Sequence, residues 1–285
     1  MSVFLAQNSY GKSRVRLVKV ERDGGSHEVF DLTVDIALEG DFEKAHTVGD
    51  NSLLYATDTM KNTVYALARQ GPVDPPEAFG LRLARHLLDR VPHVQRVHVS
   101  LAQHPWARLQ VDGRDHPTAF RRAGEERRVA RISATRESAG VEAGVEEMVV
   151  LKTAQSGFSG FMRDDLTTLR ETDDRLFATA VRAVWRFNRD DVDWNASWSQ
   201  ARRALLESFA QHDSLSVQHT LFAMGQAVLD RCEEVDEVSL SLPNKHHLLV
   251  DLSPFGLDNP NEVFVSTTEP YGLIEATVVR EADLY

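Results

Sequence analysis

A single cysteine, Cys232, stands among the 285 residues. No internal disulfide is possible, and the chain suits a reducing compartment. No apolar run approaches the roughly 20 residues that a membrane-crossing helix requires, so a membrane role is not expected. Residues Met1 to Gln7 lack the charged-then-apolar build of a secretory leader, and Asp283-Leu284-Tyr285 is not a peroxisomal address. The cytoplasm is therefore the expected location. Basic residues are in the minority: 32 Lys and Arg face 43 Asp and Glu, a net charge of −11 that disfavours nucleic acid as a partner. The one basic cluster, Arg121, Arg122, Arg127 and Arg128, reads as a solvated loop. Metal-ligand spacing is missing too. None of the 11 histidines forms an i, i+4 pair on a plausible helix, and His246 and His247, adjacent on a strand, point to opposite faces. No metal is expected.

Hydrophobic residues make up 42% and charged residues 26%, ordinary for a globular chain of one large domain or two smaller ones. The stretch from Asp50 to Tyr65 stands at the centre. Its apolar run leads into a helix entered through Thr57, Asp58 and Thr59, residue types that cap the free amides of a first turn or flank them where an anion binds. Upstream, Tyr10 to Leu17 alternates as a half-buried strand with Lys12 near its start. A turn falls at Asp23-Gly24-Gly25, and Phe30, Leu32, Val34, Ile36 and Leu38 share one face of the clearest strand. Downstream, Met60, Val64 and Leu67 keep helical spacing, and a second helix is expected from about Pro76 to Arg90. Strands follow through Val97, Val99 and Leu101 and from Trp106 to Val111, then a charged loop to about Arg128.

The second half repeats this order. Leu88 to Leu101 aligns with Leu229 to Leu242 at a constant offset of 141. Thr57-Asp58 is matched with Thr172-Asp173, each expected to open a helix, at an offset of 115, and the difference of 26 is assigned to an insertion in Asn188 to Asp213. The matches predict an α+β fold of two tandem ββααββ units, residues 1–127 and 128–285. Each is an antiparallel sheet with two helices on one face. Two such units leave open sheet edges, which oligomerisation would close into a barrel, with sites at the seam between subunits.

Candidate chemistry is scattered. Lys12, Thr57 and Asp58 lie in the first half; Phe158, Arg175, Val217, Gln218, Asn244 and His246 lie in the second. Each also has an ordinary reading: Phe158 as core, Gln218 as solvated, His246 as a half-buried polar residue, Thr57 and Asp58 as caps. Gly157 and Gly160 flank Phe158 and permit a close approach to it. Arg175, expected near a helix start, opposes the helix dipole there, a conflict that an anion relieves.

Taken together, Tyr10-Gly11-Lys12, Asp50-Asn51-Ser52 with Ala56-Thr57-Asp58, Gly157-Phe158-Ser159-Gly160-Phe161 with Arg163-Asp164, Ser216-Val217-Gln218 and Ser241 to His246 resemble the urate oxidase family, in the right order from about residue 9 to 278. The resemblance implies the tunnelling fold, a homotetramer with active sites between subunits, and a cofactor-free reaction of urate with dioxygen and water that gives 5-hydroxyisourate and hydrogen peroxide. By the same resemblance Phe158 stacks on the purine, Arg175 and Gln218 grip one edge, and Val217 offers its amide. Thr57, with Asp58 beside it, comes from the neighbouring subunit. Lys12, Thr57 and His246 match a proton relay, and Asn244 matches the residue that holds oxygen or water above the ring. Ser159 in place of a bulkier residue, the sequence of Asn188 to Asp213, and the missing peroxisomal tripeptide depart from the family pattern; the last suggests a bacterial, cytoplasmic enzyme.

The residue types suit that chemistry. Urate is a planar acid, anionic at neutral pH, and an aromatic face with a fixed guanidinium recognises such a group. Loss of a further proton makes the ring electron-rich enough to reduce oxygen directly, and a lysine whose charge is disfavoured by burial can act as the base through the Thr57 hydroxyl. A non-catalytic purine or pterin binder would keep Phe158, Arg175 and Gln218 without needing Lys12 and His246. A scaffold protein would need none of them.

Overall fold

The computed structural model describes residues 3–280. The chain forms two compact units, one running to Gly144 and including Arg189–Asn195, the other made of Val145–Asn188 and the residues from Ala196 onward. The first contains β1 (Tyr10–Asp23), β2 (Ser26–Gly40), α1 (Glu43–Thr47), α2 (Thr57–Gln70), α3 (Pro76–Arg90), β3 (Val94–Gln103), β4 (Trp106–Val111), β5 (Arg114–Arg122), β6 (Arg127–Ala134) and the start of β7 (Ala139–Lys152). Its antiparallel strands run in the order β1-β2-β3-β6. The second contains the rest of β7, β8 (Phe177–Phe187), all but the first two residues of α4 (Trp194–Gln211), α5 (Val217–Arg231), β9 (Val235–Lys245), β10 (His247–Leu249), β11 (Phe264–Ser266) and β12 (Gly272–Val279). There β9 pairs antiparallel with β8 on one side and β12 on the other. The expected boundary at 127/128 falls just after the first residue of β6, whereas the compact units part inside β7.

Period-two burial builds the sheets. In β2, Leu32, Val34, Ile36 and Leu38 are all buried, and they line the face that the helices cover. Helix α2 buries Met60, Thr63, Val64, Leu67 and Ala68, and α3 buries Phe79, Leu83, Ala84, Leu87 and Leu88, an i, i+3, i+4 stripe in each. Each fully buried Leu or Phe contributes about 1.5–3 kcal/mol. In the second unit α5 presents Val217, Leu221, Met224 and Val228 inward, and Cys232, which caps its C-terminus, is fully buried. Burial pushes the Cys232 thiol up to about 12.

The duplication holds, with one correction. Gln70 and Gln211 end α2 and α4, Pro76 and Val217 begin α3 and α5, and Val94 and Val235 begin β3 and β9, each pair separated by 141 positions. The 141 offset thus reaches back through both helices. Thr172-Asp173 opens no helix: Thr172 bridges Phe158, its hydroxyl donates to the Asp174 carbonyl (2.7 Å), and β8 follows. No 26-residue insertion separates the two helices either, since residues 188–213 contain α4, the counterpart of α2. A Thr-Asp pair bonds a bend as readily as a helix start, which is why the match misled.

The basic cluster is not one solvated loop. Arg121 and Arg122 lie in β5, and Arg122 donates to the buried Asp31 carboxylate (3.0 Å), which also accepts from Arg16 (2.8 Å) and the Trp106 indole (3.0 Å). These bonds fasten the β4–β5 hairpin onto the first unit. Arg128 is 8% exposed in β6 and grips Glu77 of α3, itself fully buried, at 2.7 Å. Its guanidinium also donates to the Trp194 carbonyl and the Asn195 side chain, so one buried charge joins α3, β6 and residues 194–195. Desolvating an ion pair is offset only when its other hydrogen bonds are filled, as they are here.

Candidate active site

In the first unit, Lys12 lies opposite Ile36 on β1. The next residues form a bulge: register shifts between Lys12 and Val15, Arg14 takes φ of 57°, and its amide donates to Asp35 Oδ1 at 2.8 Å. Gly11 is required by closeness, because a Cβ there would lie 1.8 Å from the Ile36 carbonyl oxygen. Lys12 is half-buried, and its charge reaches Asp58 at the start of α2, where it helps hold the carboxyl below its usual range. The larger causes of that lowering are the hydrogen bond and charge of Lys61, whose Nζ lies 2.5 Å from Asp58 Oδ1.

The capping reading of Thr57 and Asp58 does not hold. Ala56 occupies the cap position of α2 and no side chain caps the helix, while the Asp58 carboxylate turns to Lys61 and Asn62. The first-turn amides, Thr57's included, therefore remain open to an anion or water. What fixes this entrance is Tyr10, whose sequence context marks it only as the start of a strand and of a family motif. The Tyr10 hydroxyl accepts from the Tyr55 amide (2.7 Å) and donates to the Tyr55 carbonyl (3.2 Å), two residues before Thr57.

In the second unit three distant segments meet in one short ladder. Residues 155–158 are bridged on one side by Ser214 and on the other by Thr172. Ser214 N–H donates to Gln155 O (3.0 Å) and Gly157 N–H to Ser214 O (2.8 Å), while Phe158 and Thr172 exchange bonds of 2.7 and 3.1 Å. Space is tight at Gly157, where a Cβ would sit 3.0 Å from the Asp173 carbonyl oxygen. This ladder sets Phe158 beside the start of α5, where Ser216 caps by accepting from the His219 amide (3.1 Å), Val217 is buried and Gln218 is exposed. Buried Ser214 and Thr220 are joined hydroxyl to hydroxyl at 2.7 Å behind that turn.

Arg175 closes the group. Its guanidinium carbon lies 5.2 Å from the Phe158 ring centroid, and Phe161 stacks near-parallel on Phe158 at 4.9 Å. The Arg175 Nε is buried and bonds no other described residue. The residue is not at a helix start but in the irregular segment ahead of β8, so the dipole conflict expected of it does not arise. Loss of water, rather than a helix dipole, disfavours its charge and lowers its pKa. Asn244 and His246 sit where β9 ends. Asn244 pairs with Thr179 of β8 and Gly272 of β12, and the His246 carbonyl accepts from the Thr267 amide (2.9 Å). Lys12, Thr57 and Asp58 thus gather in the first unit, and Phe158, Arg175, Val217 and Gln218 in the second, with Asn244 and His246 at a strand end of the second. Among the described residues no cluster of three or more His, Cys, Asp or Glu has a metal-binding arrangement.

Fold and site define a duplicated antiparallel α+β protein whose second unit lays a guanidinium over an aromatic ring beside a helix start. The sequence matches the family model for uricase over residues 8–133 and 141–275. It is 49% identical to the uricase of Arthrobacter globiformis over 279 residues, covering 98% of this chain and 91% of that protein, and 40% identical to the uricase of Aspergillus flavus, covering 96% of each. The crystal structure of Arthrobacter globiformis uricase matches with a TM-score of 0.94 over 99% of this chain and 96% of that chain, at 49% identity. That of urate oxidase from Bacillus sp. TB-90, 22% identical, shares the fold with a TM-score of 0.85 over 96% of this chain and all of that one. The chain belongs to the uricase family, as its motifs had suggested.

Proposed function

We propose that this protein is a urate oxidase that converts urate, O2 and water to 5-hydroxyisourate and hydrogen peroxide without metal or flavin, in the cytoplasm. The observation that carries the proposal is the Arg175 guanidinium over the Phe158 ring with its Nε buried and bonded to no other described residue, in a chain 49% identical to a uricase over nearly its whole length. A flat anion that stacks on that ring and turns one edge to that cation satisfies both, and a desolvated guanidinium binds it more strongly than one in water.

In this scheme Phe158 stacks on the purine, Arg175 and Gln218 bond one edge, and the Val217 amide adds a donor. Thr57 contributes amide and hydroxyl from the neighbouring subunit of a homotetramer, with Asp58 beside it, and subunit association closes the sheets into a barrel. Lys12 takes the substrate's proton through the Thr57 hydroxyl, and His246 passes it on. Asn244 holds O2, then water, over the ring. The dianion so formed gives two electrons to O2, which leaves as hydrogen peroxide, and water supplies the hydroxyl at C5.

Metal-stripped protein mixed with urate should consume one O2 and release one peroxide for each urate lost from the ultraviolet band. Urate loss with no oxygen uptake would remove the oxidase assignment.

A further inference from the structure

Tyr10 lies two residues before Lys12 on β1, so both side chains leave the same face of the strand. Its ring packs edge-on against Phe42 with centroids 4.7 Å apart, and Phe42 is 1% exposed, so the ring has a fixed seat. Its hydroxyl takes both backbone groups of Tyr55, accepting from the amide at 2.7 Å and donating to the carbonyl at 3.2 Å. Two bonds to one residue fix a peptide's position and its rotation, which a single bond does not. Tyr55 in turn is followed by Ala56, whose carbonyl accepts the first helical bond of α2 from Met60 (3.1 Å). The rest of the approach is held from its other side: the Asp50 carboxylate accepts from the Ser52 amide (3.0 Å), Leu54 N–H donates to Asn51 O (3.0 Å), and a ring nitrogen of His93 bonds the Leu53 carbonyl. With no side-chain cap on α2, the direction of its first-turn amides and of the Thr57 hydroxyl depends on this external clamp. The same strand that supplies the clamp also supplies Lys12, whose charge already reaches Asp58.

We propose that Tyr10 is a positioning residue for the proton relay: by gripping both backbone groups of Tyr55 it sets the Thr57 hydroxyl against Lys12. The inference rests on the urate oxidase reading above. It adds that the lysine and the threonine are aligned by a third residue of the same strand that touches neither the substrate nor the proton.

Tyr10→Phe keeps the ring on Phe42 and removes both hydrogen bonds. In the purified full-length protein, kcat for urate should fall about tenfold or more, the pH dependence of kcat should shift relative to wild type, and binding of xanthine, a flat purine probe for Phe158, Arg175 and Gln218, should change by no more than about threefold. Unchanged kcat and pH profile in a folded variant overturn the proposal; so does a loss of xanthine binding in step with kcat, which marks a merely structural role. Should Tyr10→Phe fail to fold, difluorotyrosine at position 10 preserves the shape while making the phenol more acidic. Its kcat should then drop as the phenol ionises and stops donating to the Tyr55 carbonyl, and a pH profile identical to wild type would count against the clamp. Absence of urate-dependent oxygen uptake by the wild-type protein is a separate outcome: it removes the underlying activity, and with it the role assigned to Tyr10.

Discussion

Arg175 stands over Phe158 at 5.2 Å, a cation held on an aromatic face with one buried nitrogen that bonds no other described residue. A free protein gains little from such an arrangement, because an unbonded buried N–H costs about 1–3 kcal/mol. Arg175→Lys keeps the charge but loses the fork and the stacking plane, so KM for urate should rise at least about tenfold with the thermal midpoint little changed. Steady-state kinetics check this; an unaltered KM would mean that the guanidinium does not contact the substrate.

Lys12 and Thr57 are assigned to one relay. Lys12→Ala and Thr57→Ala should each lower kcat by about a hundredfold or more, with the double variant close to the worse single one. Losses that multiply in the double variant would show two independent contributions.

The Glu77–Arg128 pair makes a stability prediction. Removing the fully buried carboxylate with Glu77→Ala strands a guanidinium that is only 8% exposed. The loss should be about 3–5 kcal/mol, read as a drop in thermal midpoint on the order of 10 °C. Replacing both residues with apolar ones of similar size should recover part of it, and a single variant as stable as wild type would contradict the packing described.

Two histidines set an acid limit. His104 is held below the ordinary 6.5 mainly by burial, with Arg16, Arg122 and Arg127 adding to the effect and Asp31 opposing it. His212 is lowered mainly by burial too, then by His219, whose ring lies 4.2 Å away, and by Lys152, with Asp213 opposing. The unfolded chain therefore binds protons at these sites more readily than the folded one. Their contribution to stability is present above pH 6.5 and lost as pH falls through 6.5 toward the lowered native values. Thermal midpoints should decline across that window, and the double variant His104→Gln, His212→Gln should show a shallower decline.

Much of the fold could be read from periodicity. Leu32 to Leu38 alternates without a break, and α3 begins at its proline and ends at Arg90 as expected. Strand β5 was missed because Arg114 to Arg122 is rich in charge and carries Pro117 in its middle, leaving no apolar face to see. Helix α4 was taken for an insertion although Trp194, Ser197, Ala201, Ala204, Leu205 and Phe209 are buried at helical spacing; the charged residues among them obscured the stripe. At the site, Phe158 and Gln218 were legible as residue types. Their adjacency was implied by the family resemblance alone, because it depends on the backbone bridge between Ser156 and Ser214, which leaves no signature in side chains. The bulge at Arg14 and the grip of Tyr10 on Tyr55 were invisible for the same reason.

The sole thiol of the chain lies sealed beneath the end of α5 with its ionisation pushed up to about 12. Peroxides attack a thiol as its anion and spare the neutral form. A catalyst that sheds an oxidant at every turnover, as proposed here, thereby keeps its one thiol both out of reach and chemically silent, and ageing during use should begin at other side chains, such as the exposed thioether of Met162.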